Sequence, residues 1–287
     1  MINKTIRREA YAKINLGLDV VRRLPNGYHE VRMIMQMVGI CDVLTFTKAE
    51  EGIHLQVDNQ ELPTDGNNLI CKAAKLLMED AGVTGGVCIT LEKHIPIAAG
   101  MAGGSTDAAA ALLGINELYE IGYDVEKLKE LGVKIGADVP YCIQGGTALA
   151  EGIGEMLSTL PTPPACHLVI AKPDINVSTK FVYENLRANE LESHPDIDGM
   201  VKALKQGDLK GITDRLANVL ETVTVPAYPV IDDIKQTMLE EGAEGALMSG
   251  SGPTVFGMFT DIEKAKQAAQ KITDAELAKQ VFVTGFC

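Results

Sequence analysis

The stretch with the most chemical character is Pro96-Ile97-Ala98-Ala99-Gly100-Met101-Ala102-Gly103-Gly104-Ser105-Thr106, followed by Asp107 and an Ala-rich run to Leu113. Glycine reaches positive φ and lets a ligand approach the main chain. Ser105, Thr106 or Asp107 could cap a helix whose first amides point outward. Free N–H donors and the positive end of a helix dipole together attract phosphate. No Lys follows the glycines, and the spacing is not G-x-G-x-x-G behind a strand, so a P-loop ATPase and a dinucleotide unit both fit poorly. A plain connection into a buried helix would use the same residues, and the loop alone leaves both uses open.

Four further places could carry chemistry. Asp138, between small and rigid residues in Gly136-Ala137-Asp138-Val139-Pro140, could take a proton from a substrate hydroxyl. An Asx turn or a helix cap is the commoner use of such an Asp. Lys13 could pair with Asp138 or with a transferring phosphoryl group, or simply sit on a solvated strand face. Tyr28-His29 follows a turn signal and could stack on and hydrogen-bond a planar ligand, or finish a hairpin. Met248-Ser249-Gly250-Ser251-Gly252-Pro253-Thr254 is a second small-residue loop, either a bulged hairpin or a partner that approaches the first loop.

The elements that must position these residues follow from periodicity. Ala10, Ala12, Ile14, Leu16, Leu18 and Val20 alternate with Tyr11, Lys13, Asn15 and Asp19, the period of a strand with one apolar face. Pro25-Asn26-Gly27 predicts a turn, with strands over 31–40, 42–47 and 53–57 after it. Helical spacing covers 67–81, strand 86–91, then helices over 105–119 and 125–131. Pro140 should keep Val139 out of a helix, and a strand over 147–151 should close the sheet. Leu160-Pro161-Thr162-Pro163-Pro164 is the candidate linker, giving domains 1–160 and 161–287. Beyond it come strand 167–171, helical segments between 179 and 221, helix 230–241, strands 245–248 and 254–259, helix 262–272 and strand 280–285. Without the helical insertion this is β-α-β-β-α-β, the ferredoxin-like split βαβ order. The expected class is α+β, two domains with the site in a cleft.

Composition removes other classes. The 287 residues are 46% hydrophobic and 23% charged with a formal net charge of −13; the chain can build a core, and phosphate backbones and anionic membranes are poor partners. An RNA-binding domain also lacks basic stripes, interleaved aromatics and Trp. No apolar run near Met1-Ile2-Asn3 suggests a signal peptide, and no stretch reaches the roughly 20 apolar residues of a membrane helix. Cys41, Cys71, Cys88, Cys142, Cys166 and Cys287 lack zinc or disulfide spacing and are expected as buried thiols in a reducing cytoplasm.

Taken in order, these stretches resemble the GHMP kinase superfamily nearly end to end. Pro96–Thr106 matches its phosphate-binding motif and Ser249–Thr254 its C-terminal glycine-rich motif. Ala10-Tyr11-Ala12-Lys13-Ile14-Asn15-Leu16, with Arg22-Arg23-Leu24-Pro25-Asn26-Gly27-Tyr28-His29-Glu30, resembles the branch whose acceptor is a cytidylyl sugar alcohol of isoprenoid precursor synthesis. The resemblance implies an N-terminal mixed α/β ATP-binding domain, a C-terminal ferredoxin-like domain and phosphorylation of a tertiary 2-hydroxyl. It implies Asp138 as base, with Lys13 orienting it and offsetting charge, and the Pro96–Thr106 backbone holding ATP phosphates. It implies Tyr28 and His29 on the cytosine with Tyr183 stacking from the other side, Phe181 being the alternative. Mg2+ would travel with ATP, through phosphates and waters, with no protein metal site. The family often has Gly-Leu-Gly-Gly-Gly-Ser-Ser where this chain has Gly100–Thr106. Met101 keeps an apolar plug, Thr106 keeps a hydroxyl, and Ala102 implies a position without positive φ. Other acceptors, such as homoserine or a mevalonate derivative, and a non-catalytic nucleotide-binding module are the competing readings.

Overall fold

Strand β1, Thr5–Arg23, shows how the alternation is used. Its even residues from Ala10 to Val20 are buried, as the apolar face requires, but Lys13, Asn15, Gly17 and Asp19 on the other face are buried too. The solvated face considered for Lys13 is therefore absent. The computed structural model describes residues 4–25 and 27–287. Met1, Ile2 and Asn3, and Asn26 of the turn signal, lie outside the described residues.

After β1 come β2 (His29–Ala49), β3 (Ile53–Val57), α1 (Leu69–Asp80), β4 (Gly86–Glu92), α2 (Gly103–Leu118), α3 (Val125–Val133) and α4 (Val139–Gln144). Next are β5 (Thr147–Glu151), β6 (Met156–Leu160), β7 (His167–Lys172), α5 (Thr179–Asn185), α6 (Ile197–Gln206), α7 (Leu209–Thr213) and β8 (Ala217–Asn218). The chain finishes with α8 (Glu221–Ala227), α9 (Val230–Glu240), β9 (Gly245–Met248), β10 (Val255–Phe259), α10 (Ile262–Asp274) and β11 (Gln280–Thr284).

Five expectations need correction. The strands expected over 31–40 and 42–47 are one strand, β2, because the Asp42 carboxylate is fully buried and satisfied by distant partners instead of ending the strand. Helix α2 starts at Gly103, ahead of Ser105, Thr106 and Asp107, and its N-cap Ala102 has φ 57° with no capping side chain. The absence of positive φ expected at Ala102 is thus overturned. Val139 and Pro140 open α4; proline is tolerated in a first helical turn because its missing N–H would be unpaired there anyway. Cys88 and Cys287 are exposed and Cys41 is half-buried, so only Cys71, Cys142 and Cys166 are the buried thiols expected of all six. The short strands β6 and β8 carried no periodic signal.

One compact unit comprises residues up to Ala12, Ile40–Ile95 and Ala102–Gly145. Here β4 pairs antiparallel with the later part of β2 and parallel with β3. The Ala-rich α2 buries Ala108 to Leu112 and packs on α1, which Asn68 caps by accepting from the Ile70 amide at 2.9 Å.

The other unit comprises Lys13–Gly39, Pro96–Met101 and Gly146–Cys287. Residues 33–36 of β2 pair with β5, and β5 with β6. The antiparallel order β11-β7-β10-β9, with α9 and α10 packed on it, is the expected ferredoxin-like arrangement. The last residues return to β2: Gly39 N–H donates to Gly285 O at 3.0 Å, Val38 bridges Phe286, and Cys287 N–H donates to Met37 O at 3.2 Å.

Strand β8, parallel to Gly17 and Leu18 of β1, positions the second glycine loop. Buried Asn218 donates through Nδ2 to Met248 O at 2.9 Å and Gly250 O at 2.8 Å, and its Oδ1 accepts from Leu220 N–H at 3.0 Å. Asn218→Ala strands those groups away from water. It should lower unfolding free energy by about 2–4 kcal/mol, read as a drop in the urea midpoint with an unchanged slope.

Candidate active site

A buried ammonium needs partners, since desolvating an unpaired charge costs several kcal/mol. Lys13 is 5% exposed and donates from Nζ to Asn15 Oδ1 at 2.7 Å, both on one face of β1. Asn15 in turn donates from Nδ2 to Met33 Sδ at 3.3 Å. The Lys13 main-chain N–H donates to Met101 O at 3.1 Å, which ties this strand to the glycine-rich loop. Met101 is buried, as its plug role requires.

The second glycine loop meets the first, one of the two uses left open for it. Ser249 Oγ donates to Gly100 O at 3.1 Å. Within the second loop Ser249 N–H donates to Thr254 O at 2.9 Å and Gly252 N–H to Ser249 O at 3.0 Å. Gly100 has φ 72°, and a Cβ there would lie 2.4 Å from Ser249 O. This position demands glycine for both conformation and space.

Ala98 and Ala102 also take left-handed conformations, φ 50° and 57°. Alternation of right- and left-handed residues turns successive amides into an anion-binding concavity. No side chain caps α2, so its first amides are suited to an external acceptor. Thr106 points elsewhere: Oγ1 donates to Tyr11 O at 2.8 Å. Main-chain amides and the dipole of a sixteen-residue helix are the groups this loop could offer an anion.

Asp138 occupies the N-cap position of α4 without making a side-chain capping bond, so the cap explanation for its carboxylate does not hold. Its turn is closed by Val139 N–H donating to Gly136 O at 3.1 Å. Gly136 faces the helix carrying Ser105, whose Oγ would lie 3.9 Å from a Cβ at Gly136. Lys13 and Asp138 fall in different compact units.

Tyr183, on α5, faces His29 with ring centroids 5.1 Å apart and planes tilted 41°. Phe181, two residues earlier, is 41% exposed. Burial, helped by the Arg23 charge, lowers the His29 pKa, so the imidazole is neutral near pH 7 and keeps one accepting nitrogen. Tyr28 is largely exposed. Thr179 Oγ1 and Ser251 Oγ are 2.9 Å apart, joining the start of α5 to the second glycine loop. Sequence reasoning gave no role to Asn15 or to the Thr179–Ser251 link. Asn15 could have been found from its two-residue spacing to Lys13, whereas the link spans 72 positions and left no local trace. Among the described residues no three His, Cys, Asp or Glu side chains gather to hold a metal ion, and no helix is long and apolar enough to cross a membrane.

Profiles of the GHMP kinases N terminal domain and GHMP kinases C terminal match residues 68–146 and 200–278. The chain is 52% identical over 282 residues to a 4-diphosphocytidyl-2-C-methyl-D-erythritol kinase of Lachnospira eligens, covering 98% of each protein. It is 46% identical over 283 residues to the protein of that name from Caldicellulosiruptor bescii, again covering 98% of each. A crystal structure of 4-(cytidine 5'-diphospho)-2C-methyl-D-erythritol kinase superimposes with a TM-score of 0.84 at 33% identity, covering 98% of this chain and 99% of that one. A homoserine kinase from Cytophaga hutchinsonii shares the fold, with a TM-score of 0.82 at 23% identity over 99% of this chain and 95% of that one. The two-domain GHMP fold expected from the sequence is borne out.

Gly100→Ala combines left-handed strain with a clash against a main-chain oxygen. It should destabilise the protein by about 2–4 kcal/mol, well beyond the same change at Gly27, where φ is also positive but nothing lies within 4 Å. Parallel thermal melts of the two variants measure the difference.

Proposed function

The chain belongs to the 4-diphosphocytidyl-2-C-methyl-D-erythritol kinases of the GHMP group, and on that footing we propose that it transfers the γ-phosphoryl group of ATP to the 2-hydroxyl of 4-diphosphocytidyl-2-C-methyl-D-erythritol. It is a small-molecule kinase, and kinases of this group use ATP. The observation that carries the reading beyond the family name is the bond from Lys13 N–H to Met101 O. It puts a buried ammonium-bearing strand directly against the loop proposed to hold phosphates.

In this reading the Pro96–Thr106 main chain and the uncapped start of α2 bind the triphosphate, and Mg2+ arrives with ATP through phosphate oxygens and waters. Lys13 offsets the negative charge that grows on the transferring group, and Asn15 fixes its Nζ. Asp138, whose side chain is not used as a helix cap, takes the proton of the acceptor hydroxyl. Neutral His29 offers hydrogen bonds to the cytosine edge, with Tyr28 and Tyr183 supplying aromatic faces. The substrates are small, charged metabolites, and the proposed place of work is the cytoplasm.

Asp138→Ala should lower kcat by about 10²–10⁴-fold while ATP affinity, measured by calorimetry, stays close to that of the parent. Near-normal turnover would remove Asp138 as the base. In an ADP-release assay the cytidylyl alcohol should support turnover, and homoserine and mevalonate should not. CDP should compete with the cytidylyl alcohol and not with ATP.

A further inference from the structure

Beneath the start of α2 lies an ion cluster outside the chemistry above. Lys93 Nζ donates to Asp42 Oδ2 at 2.5 Å and to Asp107 Oδ2 at 2.7 Å, and the three side chains are 4%, 0% and 5% exposed. Asp42 Oδ1 accepts from the main-chain N–H groups of His94 at 2.6 Å and Ile95 at 2.8 Å. His94 and Ile95 are the last residues before the Pro96–Thr106 loop, and Asp107 is the first after it. A Cβ on Gly103 would sit 3.1 Å from Lys93 Nζ, so the ammonium lies directly under the first turn of the helix.

Two carboxyls and one ammonium, all dry, are an expensive arrangement for the sole purpose of holding a loop together. Apolar side chains of the same volume would usually do as well for stability. What apolar packing cannot supply is fixed direction: the cluster binds the chain entering the loop and the helix leaving it to one ammonium. We propose that Lys93, with Asp42 and Asp107, forms a set of positioning residues that aims the first amides of α2 and thereby sets the affinity for the nucleotide's triphosphate. The proposal rests on the reading that Pro96–Thr106 holds those phosphates.

The cluster has a second property. Burial pushes the Asp107 carboxyl up to about 8, against the pull of Lys93 and with the help of Asp42, the two charged groups that act on it. Asp107 Oδ1 is buried without a hydrogen-bond partner among the described residues, which suits a carboxyl that keeps its proton near neutral pH. With that proton the cluster is neutral. Without it, a net negative charge lies under amides that must attract phosphate, and nucleotide affinity falls. Fold stability also declines as pH climbs from the ordinary carboxylate range to about 8 and levels above it, because the folded form binds this proton more tightly than the unfolded chain.

Steady-state kinetics on the full chain test the proposal. Lys93→Met should raise KM for ATP by about ten- to a hundredfold, the scale of a lost charge-assisted hydrogen bond, with kcat and acceptor KM little changed. Lys93→Arg, which keeps the charge, should recover part of the loss. In the parent, KM for ATP should rise severalfold between about pH 7 and 9, and in Asp107→Asn that rise should vanish. An unchanged KM for ATP in Lys93→Met, or an equal rise in both substrates' KM values, would overturn the proposal. Should Lys93→Met fail to fold, an alkaline rise that survives in Asp107→Asn overturns it instead. Ser105→Asp, which puts a carboxylate in the loop itself, separates the two readings. If it leaves ATP affinity intact the phosphate-loop reading fails; if it abolishes affinity while Lys93→Met has none of the expected effect, the positioning role alone fails.

Discussion

A lysine ammonium held inside the protein on β1 is the constraint around which much of the candidate site is arranged. Burial of Lys13 forces a polar neighbour on the same strand face, and Asn15 meets that need two residues along. A one-residue shift in register would turn Lys13 and Asn15 into the apolar face held by Ala12, Ile14 and Leu16, so the ammonium is fixed along the chain as well as across it. Its own main-chain N–H bonds the loop that begins at Pro96. One residue thus supplies a charge through its side chain and anchors the glycine-rich loop through its backbone.

That segment is built against local preference. Three left-handed residues fall within five positions, and two of them are alanines. Such geometry persists only where surroundings over-determine it. Here Met101 is buried as an apolar plug, Ser249 fixes the Gly100 carbonyl, and the Lys93 cluster fixes both stems. The left-handed residues and the helix start without a capping side chain together give the geometry on which the proposed phosphate site rests.

Much of this was legible in the residues. Alternation located β1 and the strands of the C-terminal half, and the order of those strands revealed the split βαβ unit. The Lys13, Tyr28-His29 and Gly100–Thr106 stretches carried the family resemblance. What was not legible has a common cause: partners distant in sequence. Asp42 reads as a break in an apolar run, yet its carboxylate is satisfied by amides more than fifty positions away. An alanine in a left-handed conformation contradicts its intrinsic preference, and only the fold explains Ala102. Strand β8 has two residues and no period to detect.

The return of the last residues to β2 has a wider meaning. Open strand edges invite addition of foreign chains and, with them, fibrillar assembly. A 21-residue strand would be an unusually long template of that kind. Beside β1, its other side is divided among β5, the Gly285–Cys287 tail and β4, each taking a few residues in turn. Residues 285–287 cover the stretch of β2 between the two internal strands, so that part of the edge offers no template to a foreign chain.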